Sequence, residues 1–238
     1  MYPDRLEDAQ IREILAHARV QPVGAGDGTL FGEPLLILYQ WVTDLADGLR
    51  YSILSPAGMV VGRCHELTAE QLDPAENSFG ELMDHANTDR IAFFDPYGTP
   101  WARLAHKKVW KSKVTLTAPA GGEIGVLQQK NVMGKVRLGL QAGGRDLGEL
   151  VSDNTRLLGF TLTDAAKTPI GRVHKLGGYA QPGAFGPGRV LGCYVLQLHA
   201  RPAQPLHALA IAAPVAFDLA FSPTQAGHRS LGRTVTGD

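Results

Sequence analysis

Cysteine, excess charge and long apolar runs are all scarce in this chain. The two cysteines, Cys64 and Cys193, in 238 residues are too few for a disulfide framework and lack the paired spacing of zinc ligands. They are expected as reduced, buried thiols, and no metal site is expected. Lysine plus arginine equals aspartate plus glutamate at 23 each. This balance excludes a function driven by a global field, nucleic-acid binding above all, so any charged surface must be local. The opening MYPDRLEDAQIREILAHARV has no apolar core of signal-peptide type, which points to a cytoplasmic setting. There is no G-x-S-x-G elbow, P-loop, dinucleotide fingerprint or H-E-x-x-H. Neither an enzyme nor a cofactor is therefore expected. The least polar stretch, Leu206–Phe221, is shorter than the ~20 residues a membrane span needs and carries Pro214 and Asp218.

Turn residues are abundant, with 28 glycines and 15 prolines. Ile11, Ile14, Leu15 and Ala18 fall at helical spacing behind an Asp4/Glu7 capping pattern. PVGAGDGTLFGEP then reads as a flexible linker. From LLILYQWV (Leu35–Val42) onward the period is that of strands. Four segments resemble one another: YSILSPAGMVVGRCHE, IAFFDPYGTPWARLAHK, VTLTAPAGGEIGVLQQK and FTLTDAAKTPIGRVHK. Each has an apolar run, a Ser/Asp/Ala turn and a second apolar run, the signature of a β-hairpin. VRLGLQAGGRDLGELVS is a looser fifth copy. Glu66–Arg90 interrupts the pattern as an excursion with a short helix, and Gly177–Gly188 reads as a long loop.

Counting both arms and CYVLQLHA gives about twelve strands. Successive antiparallel hairpins avoid exposed edges by closing into a barrel. Twelve strands enclose roughly 24 Å, and that interior must be filled. Leu206–Phe221 supplies the filler: Leu209, Ile211, Val215, Phe217, Leu219 and Phe221 sit among six alanines, and a helix apolar all round belongs in a core. The expected architecture is mostly β: a closed antiparallel barrel around a central hydrophobic C-terminal helix, with an N-terminal helical arm. Residues 1–28 form the arm and linker, 29–222 the barrel with its helix at 206–221, and 223–238 a tail. Asp218 needs a cation or donor inside that core, and the sequence does not name it.

The hairpins FFDPYGTPWARL and LTAPAGGEIGVLQQK, followed by ALAIAAPVAFDLAF, resemble the phospholipid scramblase and LURP-one-related group of the Tubby C-terminal superfamily, over about Phe31 to Phe221. That resemblance implies a twelve-stranded barrel around a central helix and association with phospholipid. The acidic calcium-binding segment that scramblases carry before the helix has no counterpart. Gln197–Phe217 contains no aspartate or glutamate, and calcium takes about six oxygen ligands, usually including carboxylates. The cysteine-rich lipidation segment and proline-rich N-terminal region are also missing.

HKKVWKSK holds the concentrated positive charge. On one strand Lys107, Lys111 and Lys113 would share a face, with Lys108 and Trp110 on the other. They form a candidate platform for anionic phospholipid or phosphoinositide headgroups; alternatively, the lysines discourage edge pairing. His65, His106 and His174 recur at matching hairpin positions, as do Arg63 and Arg172, which unit repetition explains better than a shared site. Asp95, Asp153 and Asp164 suit turns in which aspartate bonds its own backbone. The expected function is a non-enzymatic, scramblase-like peripheral membrane association without calcium-triggered scrambling. The alternative is a soluble interaction scaffold with a protein partner.

Overall fold

The computed structural model describes residues 5–21, 24, 26–42, 50–67, 88–107, 112–131, 134–176 and 189–221. Helix α1 (Asp8–Ala18) precedes twelve strands: β1 (Leu35–Val42), β2 (Arg50–Leu54), β3 (Val60–Glu66), β4 (Thr88–Phe94), β5 (Pro100–Lys107) and β6 (Lys113–Thr117), then β7 (Glu123–Gln129), β8 (Arg137–Ala142), β9 (Arg145–Ser152), β10 (Gly159–Asp164), β11 (Pro169–Leu176) and β12 (Arg189–Leu198). Helix α2 (Leu206–Phe221) ends the described chain. Every strand pairs antiparallel with its sequence neighbours, and β1 closes the barrel against β12 through pairs such as Leu35–Gln197 and Ile37–Val195. The barrel, its strand number and its central helix all match the expectation from sequence.

The four similar segments share one turn. In each, the first turn residue donates its N–H to the carbonyl four positions on, while the N–H three positions on returns to its own carbonyl. This holds for Ser55–Met59, Asp95–Thr99, Ala118–Gly122 and Asp164–Thr168. The fourth position needs a left-handed backbone, supplied by Gly58, Gly98 and Gly121 and, at some strain, by Lys167 (φ 65°). A bulge follows each turn, the pattern of a three-residue hairpin loop. The fifth copy differs: Gly143 and Gly144, both with positive φ, make the two-residue loop between Ala142 and Arg145. All five turns lie at one end, the turn rim. The strand ends joined by the six other connections lie at the opposite end, the link rim.

Seven residues beyond the start of each turn stands a small inward-facing residue: Gly62, Ala102, Gly125 or Gly171. A Cβ on Gly125 would lie 2.5 Å from the Gln141 carbonyl and 2.9 Å from Leu209 Cδ1; on Gly171 it would lie 2.6 Å from the Gln197 carbonyl. The repeated glycine thus lets the next strand, and at Gly125 the central helix, come close.

Helix α2 runs from the turn rim to the link rim with His207 through Asp218 buried. Around it pack inward side chains including Leu38, Ile53, Phe93, Leu104, Leu116, Leu127, Leu140, Phe160 and Leu196. Among the described residues no helix is long and apolar enough to cross a membrane. The apolar surface of α2 is consumed by the barrel.

Several expectations need correction. The capping pair of α1 is Glu7 and Gln10, with the Gln10 amide oxygen accepting the Glu7 N–H at 3.0 Å; Asp4 lies outside the described residues. The expected N-terminal helical arm lies against the barrel. Its buried face, Ile11, Ile14, Leu15 and Ala18, covers Leu35, Ile37, Tyr39, Cys193 and Val195 on the outer wall. Residues 26–33, read as flexible linker, form a folded plug at the turn rim. Gly28 N–H donates to the buried Glu33 carboxylate at 2.9 Å, and Thr29 N–H and Oγ1 both donate to Asp27. Leu30 is buried, and Phe31 packs edge-on against Trp101 and His207. Glycine there permits a tight turn rather than mobility. In the interval Glu66–Arg90, β3 runs to Glu66 and β4 begins at Thr88. The short helix expected between them, the loop at 177–188 and the tail lie outside the described residues.

Gly125→Ala is expected to destabilise the protein by about 1–3 kcal/mol, because a backbone carbonyl and a core leucine must both move. Gly122→Ala, three residues away with open space around its Cβ and φ outside the left-handed region, should be near neutral. Urea unfolding of the pair checks this.

Candidate functional site

The link rim gathers the polar chemistry of the barrel. On its inner side, Asp218 sits in the last turn of α2, where a negative charge opposes the helix dipole. The carboxylate accepts from Tyr51 Oη at 2.5 Å, Lys175 Nζ at 2.8 Å and Tyr194 Oη. Lys175 also lies 5.3 Å from the ring centres of both Tyr194 and Phe217. Burial, with Asp218 alongside, holds both phenols well above their ordinary ionisation range. Sequence reasoning marked Asp218 as needing a partner but missed Tyr51, Lys175 and Tyr194, which lie 167, 43 and 24 positions away. The arrangement anchors the end of the core helix and leaves a single lysine partly exposed at the mouth.

A second cluster lies on the outer wall. Glu149, buried on β9, receives Arg137 at 2.6 Å, Lys167 at 2.5 Å and Lys130 at 3.4 Å. Lys130 reaches it by crossing Gly139, whose missing side chain leaves the path open. Burial alone would raise the carboxyl, but the Lys167 and Arg137 hydrogen bonds and charges bring it down to about 2.

Of the predicted lysines, Lys107 and Lys113 fall at the link rim but not on one strand. Lys107 ends β5 and Lys113 begins β6, and the two are register partners. The reading of a single strand face therefore fails: the chain reverses between them, so Lys107, Lys111 and Lys113 are not alternate positions of one strand. Lys113 is exposed. The side chain of Lys107, and Lys108, Trp110 and Lys111 entirely, lie outside the described residues. Further along the same rim stand Lys135 and Arg156, both exposed, in the β7–β8 and β9–β10 links, with Arg137 opening β8. Sequence reasoning passed over these three because no run of basic residues marks them.

The histidines do not occupy matching positions. Strand β5 has one more residue between its arginine and its histidine. His106 therefore shares the inward face with Leu104, while His65 and His174 point outward. His65 stacks on Phe94. Burial, followed by Arg50 for His65 and Arg172 for His174, lowers both. Among the described residues no three metal-ligating side chains converge. Arg63 donates to the Pro96 carbonyl, and Arg172 pairs with Asp153. Asp95 and Asp164 bond their own turns as expected, whereas Asp153 spends its carboxylate on Arg172 and Thr161. Cys64 and Cys193 are buried, which pushes the Cys193 thiol up to about 12 and Cys64 higher still.

The molecule is thus a closed twelve-stranded antiparallel barrel with a helix as its core and a polar rim at the helix C-terminus. No family model, curated protein or solved structure matched the chain.

Asp218→Ala should cost about 3–5 kcal/mol, since it removes the carboxylate to which a lysine and two buried hydroxyls donate. Asp218→Leu combined with Lys175→Met should recover much of that loss in the same denaturation assay. Glu149 sets an acid limit. Its folded value lies below the ordinary 4.5, so the contribution is present above pH 4.5 and disappears as pH falls towards 2. The loss is on the order of 2 kcal/mol after screening of the half-exposed cations. Thermal melts across that window should show a drop that Glu149→Gln lacks.

Proposed function

We propose that this barrel associates peripherally with anionic phospholipid headgroups, phosphoinositides included, through the arc of the link rim from β5 to β9, without enzymatic chemistry and without calcium-triggered scrambling. The observation that carries the reading is the alignment of cations: Lys107 and Lys113, then Lys135, then Arg156, stand at or in three consecutive connections at one end of the barrel. Each cation beside an anionic surface contributes about 1 kcal/mol, so four acting together would raise affinity roughly a thousandfold.

Barrel closure weakens the competing explanation. Lysines guard exposed sheet edges, but β5 pairs with β4 on one side and β6 on the other. It has no edge to guard. Two lysines at directly opposed positions cost stability, which an anionic partner would relieve. The β5–β6 link adds Lys108, Trp110 and Lys111 in sequence, and an indole suits the membrane–water interface. The likeness to the scramblase and LURP-one-related group also favours lipid. The whole rim is not proposed, because the β3–β4 link carries Glu70, Asp73, Glu76, Glu81 and Asp84 with no lysine or arginine.

Sedimentation with neutral and anionic vesicles tests this. Binding should require anionic lipid, weaken steeply as salt rises, and vanish in a Lys107/Lys111/Lys113→Glu variant of unchanged melting temperature. Absence of binding to any vesicle would overturn the lipid reading and leave the interaction scaffold, whose apolar contacts are insensitive to salt.

A further inference from the structure

Met59, Tyr97 and Leu158 are the exposed large apolar side chains among the described residues. Met59 and Tyr97 belong to turns at the turn rim. Leu158 stands at the opposite end, in the β9–β10 link, two residues from Arg156. A single exposed leucine is ordinary on a protein surface; the backbone that exposes this one is not. Leu157 adopts a left-handed conformation, φ 56°, which costs a residue with a side chain roughly 1 kcal/mol. The strain turns Leu157 inward against the barrel core and Leu158 outward. The link is also fastened along its length. Asp153 N–H donates to the Gly159 carbonyl at 2.8 Å, Arg156 N–H to Asn154 Oδ1 at 2.9 Å, and Lys175 N–H to the Leu158 carbonyl at 2.8 Å. Leu158 is therefore presented by a fixed, strained loop rather than left out by a frayed one, and such strain gathers at functional positions.

We infer that Leu158 enters the acyl region of the bilayer when the basic arc meets an anionic membrane, with Arg156 seated at the headgroups beside it. This rests on the lipid reading above and adds a depth and an orientation to it: the link rim faces the membrane and the turn rim faces away. Charge complementarity selects the occupant. A soluble polyanion would engage the cations and leave Leu158 in water, whereas a bilayer offers phosphates with hydrocarbon directly beneath.

The buried native thiols make a clean test possible. Leu158→Cys in the full chain takes an environment-sensitive fluorophore while Cys64 and Cys193 stay unlabelled, and Ala57→Cys on the turn rim serves as control. With phosphatidylcholine/phosphatidylserine vesicles, the label at 158 should shift to the blue and be quenched by nitroxide on the acyl chains; the label at 57 should do neither. Leu158→Asp should weaken vesicle partition roughly tenfold while keeping the wild-type salt dependence. If unlabelled wild-type protein sediments with anionic vesicles but the label at 158 emits as in buffer, insertion is overturned and lipid association stands. If wild-type protein does not sediment, both are overturned.

Discussion

A twelve-stranded barrel is too wide for its own side chains to fill, and this requirement governs the molecule. Here the filling is one helix, and the strands are shaped to receive it. The glycine seven positions beyond three of the turn starts, Gly62, Gly125 or Gly171, admits a neighbouring carbonyl, and at Gly125 admits Leu209 as well. The alanines of α2 let the walls approach, while Phe217 meets Phe160 where the space widens. Without the helix the inward apolar side chains of the strands would line a void, and the closure of β1 on β12 would have nothing to close around.

The same requirement separates the two ends. Where α2 enters, the plug at 26–33 seals the barrel with Leu30 and Phe31, and tight turns leave little chain outside. Where α2 leaves, a carboxylate has been carried into the core and must be matched by a lysine and two phenols from three strands. Fixing Asp218 to β2, β11 and β12 specifies how far the helix slides in and which way it is rotated, which its nearly uniform apolar surface cannot do. A buried polar cluster of this kind trades some stability for one defined arrangement. The hydrophobic helix provides the driving force, and its one charge provides the register.

The architecture was legible in the sequence because the hairpin unit repeats: the same turn, glycine and apolar spacing recur from Tyr51 to Lys175, and an apolar C-terminal helix stands after them. What was not legible depended on counting within strands or on distance along the chain. One additional residue in β5 sends His106 inward, away from the faces of His65 and His174. The reversal between Lys107 and Lys113 turns a supposed strand face into a cross-strand pair. Arg156 lies far in sequence from Lys135 and Arg137 and shares their rim only because β8, β9 and β10 run antiparallel. The folded plug was missed because glycine marks both tight turns and loose linkers, and the Glu33 carboxylate that decides between them acts through main-chain geometry.

The order in which these parts occur along the polypeptide has a consequence for biogenesis. The element that fills the barrel comes after all twelve strands, and β1 must wait for β12, more than a hundred residues downstream, before its second edge is covered. Local hairpins can form early, but the inner faces stay wet and the sheet stays open until α2 arrives. Folding is therefore slow and late relative to synthesis, with a long interval in which apolar strands are available to the wrong partners. A nascent chain of this design depends on protection from its surroundings more than a protein of equal size whose core assembles as it is made.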